Sequence, residues 1–501
     1  MRLSPRVLGF VSTLLSLLSG AVYNIAITRK LTLDYLGLLN IVNAAVAFSS
    51  LPVAIPSFTV TRSVAKDGSI DLINSFKLIS IFYVISALMS MAYLVPLWSE
   101  AGGSAFLILV ITLLTALMSY IQSITNAALL VKNRSAFIGS SIINSMAKLS
   151  VIPLIMALNW SIEAVLWSTF IIVLVSAVYA LIKTVPLHRA SMGFRAMFRW
   201  ALSASWVSMM NSIADTISSL STEVIGLLGT LIDLGVWNVL RAIGRLFTMP
   251  NVIPSIMYGE LLERNRVEVA YRDMFLSLFI NTAIVLTVAG FEPLIIDLLR
   301  PNDLNLIGPL FLPILLFLIS NTVSLINTFT DSLISGVDRV DFKGEINLGT
   351  YWGSHIGFSK MLHLVRASIY IVLAIPIFYM IRGLPFAIVM AFSISNIIGF
   401  SVSFTLRMIR IRRMRIDFPA SHLLIDYVAP TLVSAAAIYL VTLYLRFKLV
   451  HDVYVTLAEI VIAFLVSTLV YLAITLLISK RSRDLFRMIM RSLRLMLASS
   501  P

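Results

Sequence analysis

Long apolar runs recur along the whole sequence and restrict the chain to one kind of fold, a bundle of membrane-spanning helices. Fourteen runs are long enough to cross about 30 Å of hydrocarbon. The chain is 59% hydrophobic and 12% charged, which is outside the usual range of soluble globular proteins. We therefore expect an all-α polytopic membrane protein. The predicted spans are 6–28, 35–60, 75–98, 104–131, 136–158, 162–186, 200–228, 234–258, 270–292, 306–335, 364–381, 384–406, 423–445 and 453–479.

Basic residues concentrate in alternate connections, on the side that also holds both termini. This asymmetry predicts a multi-pass protein of the cell membrane with cytoplasmic termini. The net charge of +14 therefore indicates topology and contact with membrane lipids, not a nucleic-acid partner. Only Lys148, Arg241 and Arg245 are predicted to lie well inside spans. Because the chain has no cysteine and five scattered histidines, no metal site is expected.

An internal repeat divides the chain into two halves. LGLLNIVNAAVAFSSLPVAIPS, at 36–57, matches LGVWNVLRAIGRLFTMPNVIPS, at 234–255, without a gap, and 123–134 resembles 328–339. Six spans separate the matched positions, so the halves share one orientation and form two parallel six-helix repeats, followed by two further helices. The predicted units are 1–187, an N-terminal lobe; 188–199, a basic linker; 200–406, a C-terminal lobe; 407–422, a basic loop; 423–479, two appended helices; and 480–501, a basic tail.

Two arginines lie near the middle of the eighth predicted span. Arg241 and Arg245 are four residues apart and share one helix face with Asn238. An arginine at the centre of a bilayer costs about 2.5–3.5 kcal/mol, so such residues usually face a bundle interior or a wet cavity. In the first half Asn43 occupies the position of Arg241, so only one lobe is cationic. The proline pairs of the two halves are predicted hinges: Pro52, Pro56, Pro250 and Pro254.

Polar side chains on other spans indicate a hydrated cavity between the lobes. Candidate substrate-binding residues besides the two arginines are Asn238, Lys148, Asn43, Asn40 and Asn24. Candidate counter-ion or coupling residues are Asp215, Glu223 and Asp331. The arginines are expected either to form buried ion pairs with these acids or to bind an anionic headgroup, and one state can exchange for the other. Lys148 fits either role.

Three segments resemble the polysaccharide flippase branch of the multidrug/oligosaccharidyl-lipid/polysaccharide (MOP) flippase superfamily. They are LPVAIPSFTVTRSVAKDG at 51–68, LVKNRSAFIGSSIINSMAKLS at 130–150 and GVWNVLRAIGRLFTMPNVIPSI at 235–256. The resemblance implies a flippase, not an enzyme, that moves a polyprenyl-phosphate- or pyrophosphate-linked glycan from the cytoplasmic to the outer leaflet by alternating access. It implies that the protein has no cofactor. It also implies that transport is coupled to a Na⁺ or H⁺ gradient and that glycan-assembly enzymes are partners.

Three alternatives stay open at this stage. A drug/cation antiporter of the same superfamily would use the acids for coupling and the arginines for structure, although a positive cavity repels cationic drugs. A membrane glycosyltransferase or polymerase would make a covalent change, and a non-transporting lipid scramblase would need no ion gradient. The predicted cytoplasmic segment 338–363 receives no role.

Overall fold

The computed structural model describes most of the chain after residue 50. The described residues are 8–9, 11–12, 15–16, 18–20, 22–23, 27, 46, 51–94, 105–157, 161–189, 193–264, 267–299, 307–340, 349–416, 418, 423–444, 452–480, 482–484 and 487. The predictions for Asn24, Asn40 and Asn43 lie outside these residues. Most of the first two predicted spans also lies outside them.

Long helices form the first lobe. A 3-10 turn at Leu51–Val53 leads into α1 (Ala54–Asp67), which is followed by α2 (Leu72–Leu94), α3 (Ala105–Lys132), α4 (Arg134–Ala157) and α5 (Ile162–Thr184). Gly68 ends α1 with a left-handed backbone, φ 76°, a conformation that glycine adopts without the steric cost of a side chain. Ser161 caps α5 by accepting a hydrogen bond from the Ala164 N–H at 3.2 Å.

The second lobe repeats this pattern with more interruptions. Its helices are α6 (Phe194–Ser219), α7 (Ser221–Leu228), α8 (Leu231–Gly244), α9 (Thr248–Arg264), α10 (Val267–Gly290), α11 (Glu292–Leu299), α12 (Phe311–Val337), α13 (His355–Ile381) and α14 (Ala387–Arg413). Two appended helices follow, α15 (Ala429–Tyr444), which a π-helical turn at Leu424–Val428 precedes, and α16 (Val453–Ile478). The described residues contain no strand, and ten helices are long and apolar enough to cross a membrane. The prediction of an all-α polytopic membrane protein is therefore confirmed.

Three helices extend further than the sequence predicted. The structure begins α13 at His355 and ends α14 at Arg413, whereas the predicted spans were 364–381 and 384–406. Similarly, α1 continues to Asp67, beyond the predicted end at 60. A hydropathy pattern ends a span at its first charged residues. Each of these helices nevertheless keeps a basic side chain inside the protein, where a carboxylate neutralises its charge or a carbonyl group accepts its hydrogen bonds.

The lobes contact each other at the end of the bundle where α14 finishes with Arg410, Arg412 and Arg413, which we call the basic end. Arg62, at the end of α1, is fully buried there. Its guanidinium donates to the Ser335 carbonyl at 3.0 Å and to the Asp338 carbonyl at 2.6 Å, at the end of α12. A backbone carbonyl at a helix end lacks an intrahelical partner, so the arginine satisfies both acceptors while it joins the lobes.

A second contact joins the lobes through the other pair of equivalent helices. Arg134, at the start of α4, pairs with Glu263, at the end of α9, at 2.8 Å. Beside it, α9 approaches α3 closely at Gly259, where an added Cβ would lie 2.7 Å from the Leu130 carbonyl oxygen. The basic end is thus closed by α1 against α12 and by α9 against α3.

The connection between α12 and α13 also packs at the basic end. Tyr351 is fully buried, and its hydroxyl accepts a hydrogen bond from Trp200 Nε1 at 2.7 Å. Trp352 stacks on Trp206 with 4.7 Å between ring centroids. Because α13 begins at His355, the last nine residues of the 338–363 segment belong to a span. The described part of the connection is therefore anchored to α6.

Candidate functional site

The seventh and eighth predicted spans are both broken into shorter helices. The seventh divides at Leu220 into α6 and α7, and the eighth divides at a 3-10 turn, Arg245–Phe247, into α8 and α9. A capping box begins α8, in which Thr230 and Asp233 each accept the other's backbone N–H, at 3.2 Å and 2.8 Å. Broken helices are tolerated in membranes where they face protein or a water-filled cavity.

The proline pairs lie next to these interruptions. Pro250 is in the first turn of α9, where a missing N–H costs nothing, while Pro254 is inside the helix. In the first lobe Pro52 is in the 3-10 turn at Leu51–Val53 and Pro56 is in the first turn of α1. The eighth span therefore breaks just before its prolines. Their role as hinges remains a prediction.

Arg241 and Arg245 lie on the two sides of the α8 end. Both residues are exposed, although they lie in the interior of a span that crosses the bundle. Arg241 Cζ is 5.5 Å from the centroid of the buried Trp237 ring, so the guanidinium makes a cation–π contact with the indole. An exposed guanidinium at this depth is far more stable in water than against lipid tails. The exposure of both arginines agrees with the predicted hydrated cavity between the lobes, which stays a prediction.

The expected ion pairs of these arginines with Asp215 and Asp331 do not form. Within the described residues Asp215 pairs with Arg366, at 3.7 Å, and Asp331 pairs with residues of α13 and α14. The side chains of Glu223 and Asn238 lie outside the described part, so their predicted roles are not placed. The arginines keep the exposure that an anion site requires.

Asp215 and Arg366 form a second charged group in the middle of the second lobe. The Asp215 side chain is 79% exposed and the Arg366 side chain is 14% exposed. Arg366 packs across the Phe400 ring at 4.8 Å. Arg241 packs on Trp237, which reaches Tyr370, one turn beyond Arg366 on α13, through the Phe392 ring, so the two groups belong to one charged region. Arg366 lies midway along α13, so the prediction that only Lys148, Arg241 and Arg245 are well inside spans is wrong.

Asp331 anchors a buried ion cluster between α12, α13 and α14. Its carboxylate accepts from Lys360 Nζ at 2.7 Å and from the Ser359 hydroxyl at 2.7 Å. His363 Nε2 and Arg407 Nη2 lie at 3.4 Å and 3.8 Å from it. Lys360 and Arg407 outnumber the single carboxylate, so this site repels a further cation. Asp331 therefore has the surroundings of a counter-ion, which is one of the two roles predicted for it.

Arg407 completes this cluster and is almost fully buried. It donates to Asn327 Oδ1 at 2.7 Å, to the Ser403 hydroxyl at 2.9 Å and to the Ser359 hydroxyl at 3.0 Å. Sequence analysis placed Lys360, His363 and Arg407 in basic connections and missed this cluster. The available signal was the i, i+3 spacing of 360, 363 and 366, which puts three basic groups on one helix face.

Lys148 is half-buried near the middle of α4, in the first lobe. It has no carboxylate partner among the described residues, and its neighbour Asn144 donates to the Ser176 hydroxyl at 3.4 Å. The structure therefore does not join Lys148 to the charged region of the second lobe. The described residues also contain no group of His, Cys, Asp and Glu suited to a metal ion.

Comparison with known proteins places this architecture among transporters. No family model matches the sequence, and no curated protein matches it. Solved structures do match. A MATE protein in its straight conformation is 15% identical, covers 83% of this chain and 98% of its own, and superposes with a TM-score of 0.64. A multidrug resistance MATE family transporter of the MOP superfamily, in an outward-facing conformation, is 15% identical, covers 82% and 96%, and has a TM-score of 0.61.

A third similar structure comes from Pyrococcus furiosus Vc1. It is a MOP superfamily transporter whose reverse binding-pocket polarity suggests a different function, and it is 15% identical, covers 82% and 96%, and has a TM-score of 0.60. At this identity the likeness shows the fold. The chain thus has the fold of the MATE transporters whose structures it resembles, as the sequence resemblance implied. The polysaccharide branch is taken up below.

Proposed function

We propose that this protein is a flippase that moves a polyprenyl-phosphate- or pyrophosphate-linked glycan from the cytoplasmic to the outer leaflet by alternating access. It makes no covalent change and acts as a transporter. The proposal rests on one observation above all. Two exposed arginines, Arg241 and Arg245, flank the break of a spanning helix inside a MATE-type fold.

The chemistry of the site favours an anionic headgroup. A guanidinium presents a planar fork of donors that matches phosphate oxygens, and it keeps its charge at any physiological pH. Arg366 adds a third guanidinium to the same region, against the single described carboxylate of Asp215. A net positive region attracts phosphate and raises its local concentration.

The closed basic end agrees with this proposal. Contacts of Arg62 and Arg134 hold the lobes together there, as expected for a transporter state that is closed on this side. In an alternating cycle these contacts would break to admit substrate from the basic side. We place this end in the cytoplasm, with both termini there and the protein in the cell membrane. A Na⁺ or H⁺ gradient would drive the cycle, and glycan-assembly enzymes would supply the substrate.

A drug/cation antiporter is the second candidate. It is favoured by the exposed Asp215 carboxylate and by the likeness to a multidrug resistance MATE transporter. A cationic drug would, however, meet Arg241 and Arg366 beside that acid. The P. furiosus structure, with its reverse pocket polarity, indicates that pocket charge differs among transporters of this fold.

Reconstituted vesicles test the two candidates. A fluorescent polyprenyl-pyrophosphate glycan is placed in the membrane, and its transfer between leaflets is measured by quenching with an impermeant reductant, with and without an ion gradient. We expect Arg241→Ala and Arg245→Ala each to reduce transfer about tenfold or more, since each removes a charge-assisted contact. Arg382→Ala, an exposed arginine between α13 and α14, is the matched control. Unchanged transfer in both variants would show that the two arginines do not bind the substrate, and gradient-driven efflux of a cationic dye that Asp215→Asn abolishes would favour the antiporter.

A further inference from the structure

The ion pair of Asp215 and Arg366 is loose for its position. The closest approach, between Arg366 Nη2 and Asp215 Oδ1, is 3.7 Å, longer than a charge-assisted hydrogen bond of about 2.7–2.9 Å. The same nitrogen is 3.4 Å from the Ser218 hydroxyl, near the limit of a hydrogen bond. A buried arginine with a permanent carboxylate partner normally forms a short or bidentate contact. Arg366 and Asp215 attract each other by charge without a hydrogen bond between them.

Donor groups of Arg366 remain unused. Within the described part of the chain its Nε–H is buried and finds no acceptor. An unsatisfied buried donor is costly, and native proteins rarely keep one unless a ligand or water meets it. The guanidinium is held in position by the Phe400 ring at 4.8 Å, which leaves its edge available. The group is therefore oriented in advance for an acceptor that has several oxygens.

The carboxylate is the exposed half of the pair. Its side chain is 79% exposed, against 14% for Arg366, so Asp215 can leave without a large cost in desolvation. It lies near the end of α6, close to the break at Leu220. An incoming oxyanion would compete with it for the same donors.

We propose that Arg366 is a substrate-binding residue for the phosphate or pyrophosphate group, and that Asp215 is a resident anion which occupies this arginine in the empty state and is displaced by substrate. The inference rests on the proposed function and adds a specificity device to it. A neutral lipid cannot displace Asp215, because it offers no charge in exchange. The phosphate of an anionic lipid would contact Arg366 in addition to Arg241 and Arg245.

Ligand binding by purified protein in detergent tests this exchange. The probe is farnesyl pyrophosphate, and farnesol is the uncharged control. We expect Arg366→Gln to weaken binding about tenfold, because a charged donor pair is lost. Asp215→Asn should strengthen it about three- to fivefold, because the competing charge is removed. Arg366→Lys keeps the charge but loses the fork, and an intermediate affinity is expected.

A double variant shows whether the two residues act together. If Asp215 acts by occupying Arg366, the gain from Asp215→Asn disappears in the Arg366→Gln background. Arg382→Gln is the matched control and should bind as the unmodified protein does. Inorganic pyrophosphate, used as a competitor, separates a lipid site from a site for free phosphoanions. Competition as strong as that of farnesyl pyrophosphate itself would overturn the assignment to lipid.

The outcomes separate this inference from the proposed function. If farnesyl pyrophosphate binds through Arg241 and Arg245 while Asp215→Asn and Arg366→Gln leave affinity unchanged, the counter-ion exchange is wrong and the flippase proposal stands. Equal binding of farnesol and farnesyl pyrophosphate, or binding of neither, overturns both. If the Arg366→Gln protein elutes as an aggregate, Arg366→Lys takes its place. An affinity of Arg366→Lys equal to that of the unmodified protein then contradicts the inference.

Discussion

The same three-helix arrangement holds a buried ion cluster in the second lobe and none among the described residues of the first. In the first lobe α3, α4 and α5 meet through amides and hydroxyls, with Gln122 donating to the Ser176 hydroxyl at 2.8 Å. In the second lobe α12, α13 and α14 meet through Asp331, with Lys360 at 2.7 Å. Asn126 stands in the repeat where Asp331 stands. Two copies of one fold therefore tolerate very different interior electrostatics.

This difference teaches how a buried charge becomes acceptable. A neutral hydrogen bond contributes about 0.5–1.5 kcal/mol and is lost at similar cost. A buried ion cluster contributes little net stability, but removal of one partner leaves the others without compensation. The first lobe should therefore tolerate substitution, whereas the second should be sensitive to single changes and tolerant of paired ones.

The largest effect is expected at the centre of the charged cluster. Asp331→Asn leaves Lys360 and Arg407 buried without their carboxylate, and should destabilise the protein by about 3–5 kcal/mol. Asn126→Ala, the matched change in the first lobe, should cost about 1 kcal/mol. Thermal unfolding in detergent measures both. A double variant, Asp331→Asn with Lys360→Met, should recover part of the loss. Equal effects at 126 and 331 would show that the two interiors do not differ.

The next largest effect on stability is expected at the contacts between the lobes. Arg62 is buried and donates to two carbonyls, whereas the Arg134 and Glu263 side chains are 15% and 30% exposed. We expect Arg62→Ala to cost about 1.5–3 kcal/mol and Arg134→Ala about 0.2–1 kcal/mol. The basic end should open more often in the first variant than in the second.

Cysteine labelling measures that opening directly, because the chain has no cysteine of its own. Ser335 is buried and its hydroxyl has no hydrogen-bond partner among the described residues, so Ser335→Cys is a mild reporter. Maleimide should modify this cysteine faster when Arg62→Ala is present, and the Arg134→Ala background should change the rate less. The same rate in all three proteins would mean that Arg62 does not hold the lobes together.

The smallest effect concerns a buried acid at the start of α11, beyond the end of α10 at Gly290. Glu292 precedes Pro293 in the second lobe, where the first lobe has Val95 before Pro96. Burial raises the pKa of Glu292 above its ordinary value, although a hydrogen bond from the Gly308 N–H opposes the shift. A raised pKa means that the acid stabilises the fold below its ordinary pKa and that this contribution is lost as pH rises through the raised value.

Thermal unfolding at two pH values tests this direction. Between pH 5 and pH 7.5 we expect the unmodified protein to lose more stability than Glu292→Gln does, because only the unmodified protein has to ionise a buried carboxyl group. A Glu292→Gln protein with the same pH dependence as the unmodified protein would contradict the assignment.

Much of the fold could be predicted because hydropathy integrates over many residues. Helices α2 to α5 begin and end within a few residues of the predicted spans, since uninterrupted apolar runs define them. The start of α13 was missed because Lys360 and His363 look like the end of a span when each is considered alone. Their partner Asp331 lies on another helix, and a local pattern cannot reveal a pairing between helices.

The candidate site shows the same limit. Arg241 and Arg245 were found because they are charges isolated in an apolar run. Arg366 was missed because it follows Lys360 and His363, so it seemed to belong to a basic connection. The pairing of Asp215 with Arg366 depends on tertiary contact. Sequence analysis thus finds unpaired charges more readily than paired ones.

The Arg62 contact has an evolutionary consequence. Its acceptors are the main-chain carbonyls of residues 335 and 338, which are present whatever side chains those positions carry. Mutational drift on the α12 side therefore cannot remove the acceptors while the helix end keeps its geometry. Only the donor is open to selection. The attraction between the lobes at the basic end can thus be strengthened or weakened by changing one codon, without coordinated change in the partner helix.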